Sequence, residues 1–212
     1  MKNRFLSALF PKRCPFCREV ISAEKDFCDD CKSKLPGEVY EGHAIGGAPC
    51  CAPLLYMDEY AYAIKCFKFG KKKYYAHPLA LLMLRAVLNA YDLTSFDLVT
   101  FVPMHKKKLK KERFDHTALL ADELSKLSGL PCVRVLEKYK KNKTQHTLGR
   151  SQRFDNVRGV YRVIDKSLVK GKSILLIDDI MTTGNTLGEC ARVLEKAGCR
   201  DVSCAVVCVT VA

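Results

Sequence analysis

The sequence predicts an α/β domain built on a mainly parallel sheet, preceded by a small cysteine-stapled segment. Three observations carry this. Residues 173–177, Ser-Ile-Leu-Leu-Ile, form an apolar run of the length of a strand buried on both faces, and residues 186–196 follow with helical periodicity that stops at Gly198. A second strand-like run, residues 202–209, succeeds that helix, so the three make a βαβ unit. Ahead of the domain, Cys14-Pro-Phe-Cys17 and Cys28-Asp-Asp-Cys31 stand ten residues apart. At 212 residues the chain suits one α/β domain with a small appendage.

The elements follow in chain order. Phe5, Leu6, Ala8, Leu9 and Phe10 are too few for a signal peptide and lead into Pro-Lys-Arg-Cys, not a small-residue cleavage site. Cys14, Cys17, Cys28 and Cys31 have the paired-knuckle spacing of a tetrahedral structural zinc site, which leaves no open position for catalysis. Residues 10–35 hold too few apolar side chains to fold unaided, and zinc can supply on the order of 10 to 16 kcal/mol. Cys50 could replace one of the four ligands; Cys51, Cys132, Cys190, Cys199, Cys204 and Cys208 read as small core residues. The 12 cysteines are not framed as in a short secreted disulfide scaffold.

Residues 42–53, rich in Gly and Pro, read as a bridge, dividing the chain into a zinc segment and linker over 1–50 and a domain over 51–212. A strand is expected near residues 54–57. A helix from Tyr74 or His77 to Tyr91 places Leu79, Leu82, Met83, Ala86 and Val87 on one face. Residues 96–103 read as a strand whose carboxyl end opens onto a basic run, and residues 114–127 as a helix stopped by Gly129. Residues 133–136 and 159–164 are further strands, separated by the polar loop 143–156. The longest apolar run, residues 78–84, is far short of the roughly 20 residues of a membrane span, and a cytoplasmic protein is expected.

The turn that opens the 186–196 helix carries the chemistry. Ligands of open α/β sheets bind at the carboxyl ends of strands. Here Thr182, Thr183, Gly184, Asn185 and Thr186 offer hydroxyls and backbone N–H groups at a helix N-terminus, which favours a phosphate by roughly 0.3 to 2 kcal/mol. Asp178 and Asp179 precede that cradle, placed to accept hydrogen bonds from adjacent sugar hydroxyls. A nucleoside triphosphatase is disfavoured because the one Gly-Lys-Ser, at Gly171, has Lys166 where a phosphate loop needs its first glycine and runs into a strand.

Together these residues resemble the diphosphosugar-binding signature of type I phosphoribosyltransferases, and the wider arrangement is similar to the ComF (ComFC) family of competence-associated proteins. That resemblance rests also on the cysteine pairs, on Lys65-Cys-Phe-Lys-Phe-Gly70, on Val102-Pro103 before the basic run, and on Gln145, Leu148, Arg153, Asn156, Val157 and Tyr161. It implies the type I phosphoribosyltransferase fold behind a zinc ribbon, with Asp178 and Asp179 on the ribose, Thr182 to Thr186 on the 5-phosphate, and Pro103 and His105 in the diphosphate loop. Mg would accompany 5-phosphoribosyl diphosphate. Where the family commonly has Arg-Gly-aromatic-Asn-Gln, this chain has Glu112-Arg113-Phe114-Asp115-His116, which puts any contact of that loop in question.

Charge points to a second partner. Residues 1–60 carry 8 basic and 9 acidic side chains, residues 61–150 carry 19 and 7, and residues 151–212 carry 9 and 7, so almost all of the net +13 sits in residues 61–150. One cluster is Lys106, Lys107, Lys108, Lys110, Lys111 and Arg113; others hold Lys65, Lys68 and Lys71 to Lys73, and Lys138, Lys140, Lys141 and Lys143. Phe67, Phe69, Tyr74, Tyr75, Phe114 and Tyr139 interleave with them, as single-stranded nucleic acid requires, although a diphosphate pocket also needs lysines. The favoured expectation is a phosphoribosyl-ligand-binding protein that assists DNA uptake by handling single-stranded DNA, with competence-machinery proteins as further partners. Two alternatives remain open: a phosphoribosyltransferase with an unknown acceptor base, and a regulator that senses the ligand without turning it over.

Overall fold

The computed structural model describes residues 11–69, 72–112, 114–140 and 157–210. Expectations placed on Phe5 to Phe10, Lys71, Arg113, Lys141 and the stretch 143–156, with Gln145, Leu148, Arg153 and Asn156, lie outside these residues.

Strands β1 (Tyr40–His43), β2 (Pro49–Ala52), β3 (Leu54–Leu55), β4 (Leu98–Phe101), β7 (Ser173–Met181) and β8 (Asp201–Val209) form one sheet in the order β1-β2-β8-β7-β4, with β3 also on β8. Only the β1–β2 pairing is antiparallel. A separate two-stranded antiparallel sheet pairs β5 (Leu136–Lys138) with β6 (Tyr161–Val163). Strand alternation sorts β7 between two cores. Leu175 and Ile177 join Val99, Phe101, Ala205 and Val207 under α3 (Ala76–Ala90) and α5 (His116–Ser128), whereas Ile174 and Leu176 join Leu98, Cys204 and Val206 under α6 (Asn185–Lys196).

Each helix forms for a local reason. On α3, Leu79, Leu82, Met83, Ala86 and Val87 are buried, the face that periodicity assigns to the core. Asp115 caps α5, accepting from the amides of Thr117 and Ala118, and Gly129 ends it in the left-handed region at φ 78°. After the short α1 (Asp29–Ser33) of the zinc segment, helix α2 (Asp58–Phe69) was not foreseen from sequence; Tyr60, Ala61, Ile64 and Phe67 are buried on it at helical spacing. Phe67 has no exposed surface, a burial worth about 1.5 to 3 kcal/mol. Tyr60 receives the zinc segment: Phe16 meets its ring edge-on at 5.0 Å and stacks on Phe27 at 5.3 Å.

Five expectations are corrected. Residues 42–53 are no bridge: β1 and β2 make a hairpin whose turn is closed by the Ala44 amide donating to the Ala48 carbonyl at 2.8 Å, and Cys50 and Cys51 pair with Cys204 and Ala205. The strand at 54–57 shrinks to Leu54–Leu55, since beyond it only the Tyr56 amide still reaches Val209. The basic run is not a loop but helix α4 (Lys106–Glu112), leaving Pro103 to His105 as the loop proper. Strand β7 does not stop at Ile177; β8 extends alongside and pairs Asp178 with Val206 and Met181 with Val209. Residues 133–136 contribute only their last residue to β5. Among the described residues no helix is long and apolar enough to cross a membrane.

Candidate functional site

The extension of β7 decides how its two carboxylates are used. Being consecutive in a strand, they point to opposite faces. Asp179 lies on the α3/α5 side, 5% exposed, where its Oδ2 accepts from Lys68 Nζ at 2.8 Å and from His116 Nε2 at 2.6 Å. Burial opposes ionisation of Asp179, yet the His116 hydrogen bond and the Lys68 charge outweigh it and hold its carboxyl below the usual range. Asp178 lies on the α6 side, and its Oδ1 accepts the Asp179 amide at 2.8 Å. Burial first, and the Asp179 charge second, push the Asp178 carboxyl up to about 8. Two adjacent aspartates thus have opposite protonation tendencies.

Beyond the strand, Gly184 adopts φ 72° and α6 begins at Asn185 with no side-chain cap among the described residues, which leaves the first amides of a twelve-residue helix to meet an anion. The β1–β2 turn backs this cradle. A Cβ on Gly184 would stand 3.0 Å from the Ile45 nitrogen, and one on Gly188 would overlap the Ile45 carbonyl oxygen. Both positions must be glycine for the turn to approach. Thr182 is exposed and Thr183 and Thr186 partly so, while Asn185 is buried with its Oδ1 unpartnered among the described residues.

A cleft of about 210 Å³ joins these parts at the carboxyl end of the sheet. Asp178, Asp179 and Thr186 line one side; Pro103, Met104 and His105 line another, so the expected diphosphate-loop residues reach the site. Met104 is fixed there by its amide donating to Asp115 Oδ2 at 3.1 Å. Lys68, Lys108 and Lys138 bring cationic side chains, and Tyr161 from β6 closes the far end. Burial pulls the Lys138 ammonium down from the usual lysine value, and its Nζ lies 5.2 Å from the Tyr161 ring centroid. Lys106, Lys107, Lys110 and Lys111 do not line the cleft; they stand exposed on α4, whose Lys108 joins helix and cleft.

Sequence reasoning counted Lys68 and Lys138 only among the basic clusters and gave His116 and Tyr161 no role of their own. Lys68 and Tyr161 stood within quoted motifs, and His116 within the departure, but only the packing of α2 and α5 on β7 reveals their partners. One signal was available: Asp115 followed by His and Thr reads as a helix N-cap, which would have aimed the start of α5 at the sheet end.

The zinc residues converge as expected. The thiols of Cys14, Cys17, Cys28 and Cys31 all lie within 4.8 Å of one another, with Cys17 and Cys28 at 3.5 Å. A tetrahedral ion with bonds of about 2.3 Å needs sulfurs roughly 3.8 Å apart, so the set fits zinc. Burial pushes the Cys28 thiol up to about 11, and a divalent cation is what would hold four neighbouring sulfurs as thiolates. Cys50 is buried in β2, away from this cluster.

Two family profiles match, a double zinc ribbon domain over residues 5–54 and a phosphoribosyl transferase domain over residues 117–210. The chain is thus similar to a double zinc ribbon domain followed by a phosphoribosyl transferase domain. Its fold is accordingly the type I phosphoribosyltransferase fold, with the mixed sheet and flanking helices described above. Two relatives match over most of both chains. Competence protein F of Haemophilus influenzae is 24% identical over 217 residues, covering 91% of this chain and 95% of the relative. DNA utilization protein YhgH of Escherichia coli K12 is 26% identical over 212 residues, covering 93% and 90%. Among solved structures, adenine phosphoribosyltransferase from Thermoanaerobacter pseudethanolicus is 15% identical with a TM-score of 0.40, covering 81% of this chain and 95% of that one. The chain spans 25% of a longer structure, an allosteric regulatory enzyme of purine biosynthesis, at 22% identity and a TM-score of 0.41.

Proposed function

We propose that this protein binds 5-phosphoribosyl diphosphate with Mg in the cleft and handles single-stranded DNA along its basic helix, in DNA uptake or use in the cytoplasm. The observation that carries the reading is the adjacency of two surfaces: Asp178, Asp179 and the uncapped start of α6 lie in one cleft with Lys108, whose helix presents four further exposed lysines. The 5-phosphate would sit on the amides from Thr183 to Thr186, the ribose hydroxyls on the two aspartates, and the diphosphate by Met104, His105, Lys108 and Lys138. Magnesium, bound with the ligand, would offset the diphosphate charge. The names of the two relatives, a competence protein and a DNA utilization protein, support the biological setting. Phe69, 66% exposed, and Tyr74, 44% exposed, flank Lys72 and Lys73 and supply stacking faces for bases.

A second reading, transfer of the phosphoribosyl group to an acceptor, is favoured by one feature. Asp179 is held ionised by Lys68 and His116, and a fixed anion beside the ribose would stabilise positive charge developing on the sugar as diphosphate departs.

A thermal-shift titration tests the ligand. At about 100 times its dissociation constant, 5-phosphoribosyl diphosphate with Mg should add roughly 2.7 kcal/mol of stability. The shift should vanish in Asp178→Ala/Asp179→Ala; a shift that survives in this variant would remove the cleft from consideration.

A further inference from the structure

We infer that His116 is a positioning residue: it fixes the Asp179 side chain so that one carboxylate oxygen is committed to the protein and the other is presented to the ligand. The inference rests on the reading of the cleft as a phosphoribosyl site. Asp179 Oδ2 receives both of its partners, Lys68 at 2.8 Å and His116 at 2.6 Å, and Oδ1 receives none among the described residues. Two donors from different helices converging on one oxygen fix both side-chain torsions of the aspartate. A ribose hydroxyl then meets an acceptor that does not have to reorganise.

The imidazole is itself held for this task. His116 is 6% exposed and its ring stands at 85° to Phe67, with centroids 6.3 Å apart. It is the first residue of α5, directly after Asp115, which caps the helix and anchors the Met104 amide. Ring and diphosphate loop are therefore set by neighbouring residues of one turn. The hydrogen bond to Asp179 requires the proton on Nε2, and Nδ1 is buried with no partner among the described residues, so among them the ring serves as a donor through one nitrogen. Lys68 cannot replace it, because a flexible ammonium supplies charge but does not fix direction. The motif departure at residues 112–116 thus supplies a hydrogen-bond donor to the acidic pair instead of leaving the site incomplete.

Two variants and one spectrum test this. His116→Leu should weaken binding of 5-phosphoribosyl diphosphate with Mg about tenfold or more, whereas His116→Gln, whose amide can donate to the same oxygen, should restore most of that loss. A merely structural role would predict the reverse order, since Leu suits a buried apolar position better than Gln. In the free protein, the nitrogen-edited imidazole spectrum should show a slowly exchanging Nε2 proton that is lost in Asp179→Asn. Wild-type binding with equal affinity in His116→Leu, or a protected proton on Nδ1, overturns the inference alone. Absence of binding in the wild type overturns it together with the ligand reading.

Discussion

Removing Lys107, Lys110 and Lys111 from α4 offers the sharpest test of nucleic-acid binding. These three are exposed and make no ion pair among the described residues, whereas Lys106 lies 3.9 Å from Glu137 and Lys108 3.7 Å from Glu112. Their spacing puts them on one helix face, and alanine preserves the helix. Each phosphate contact on a single strand contributes about 0.7 to the slope of log affinity against log salt, so the triple alanine variant should lower that slope by roughly 2. A fourfold rise in salt should then weaken the wild type about 16-fold more than the variant. Fluorescence anisotropy of a labelled oligothymidylate, titrated at several sodium chloride concentrations, reads this directly. An identical slope in both proteins would refute the placement of the strand on α4, and a flat slope in the wild type would refute DNA binding itself.

Other consequences are equally direct. Because the Asp178 carboxyl is raised to about 8 against an unfolded value near 3.9, the folded state holds the extra proton between these values. Its contribution to stability therefore falls as pH rises through that window, by up to about 1.4 kcal/mol per unit, and levels off above pH 8. Asp178→Asn should flatten the fall in denaturant midpoint between pH 5 and about 8; an unchanged profile would mean that Asp178 is ionised throughout. Cys28→Ser should release the zinc measured by atomic absorption and lower the melting temperature together, while stoichiometric metal in that variant would point to another ligand set. Gly188→Ala should cost about 1 to 3 kcal/mol in urea unfolding, as the added methyl drives the Ile45 carbonyl away, and a neutral result would show that the hairpin turn yields freely.

What could be read from the chain follows the range of the interactions involved. The zinc ligands and the β7–α6 turn are local, so spacing and periodicity were enough. The β1–β2 hairpin was hidden because its Gly and Pro content argues for a linker; what makes it a strand pair is β8, some 150 residues later, offering its edge to Cys50 and Cys51. Residues 178–181 were assigned to a turn because polar aspartates end an apolar run, yet the neighbouring β8 keeps pairing and carries them as strand. Asp179 shows the same limit at the site. Its place at the carboxyl end of the strand was legible, but its partners come from α2 and α5, and no pattern along the sequence states that Lys68 and His116 meet at one oxygen.

The Ala44 to Gly47 turn leaning on α6 has a consequence for how this protein can be taken apart. The zinc-ribbon profile extends to residue 54, and that same stretch supplies both a strand of the sheet and the rear wall of the cradle. A cut at residue 50 would pass through β2, strip β8 of a neighbour, and leave a row of unpaired amides and carbonyls open to aggregation. Sequence modules and mechanical units have different borders here. A shortened version meant to retain the ligand site would have to begin before β1 at Tyr40, keeping the hairpin while giving up the metal knuckle.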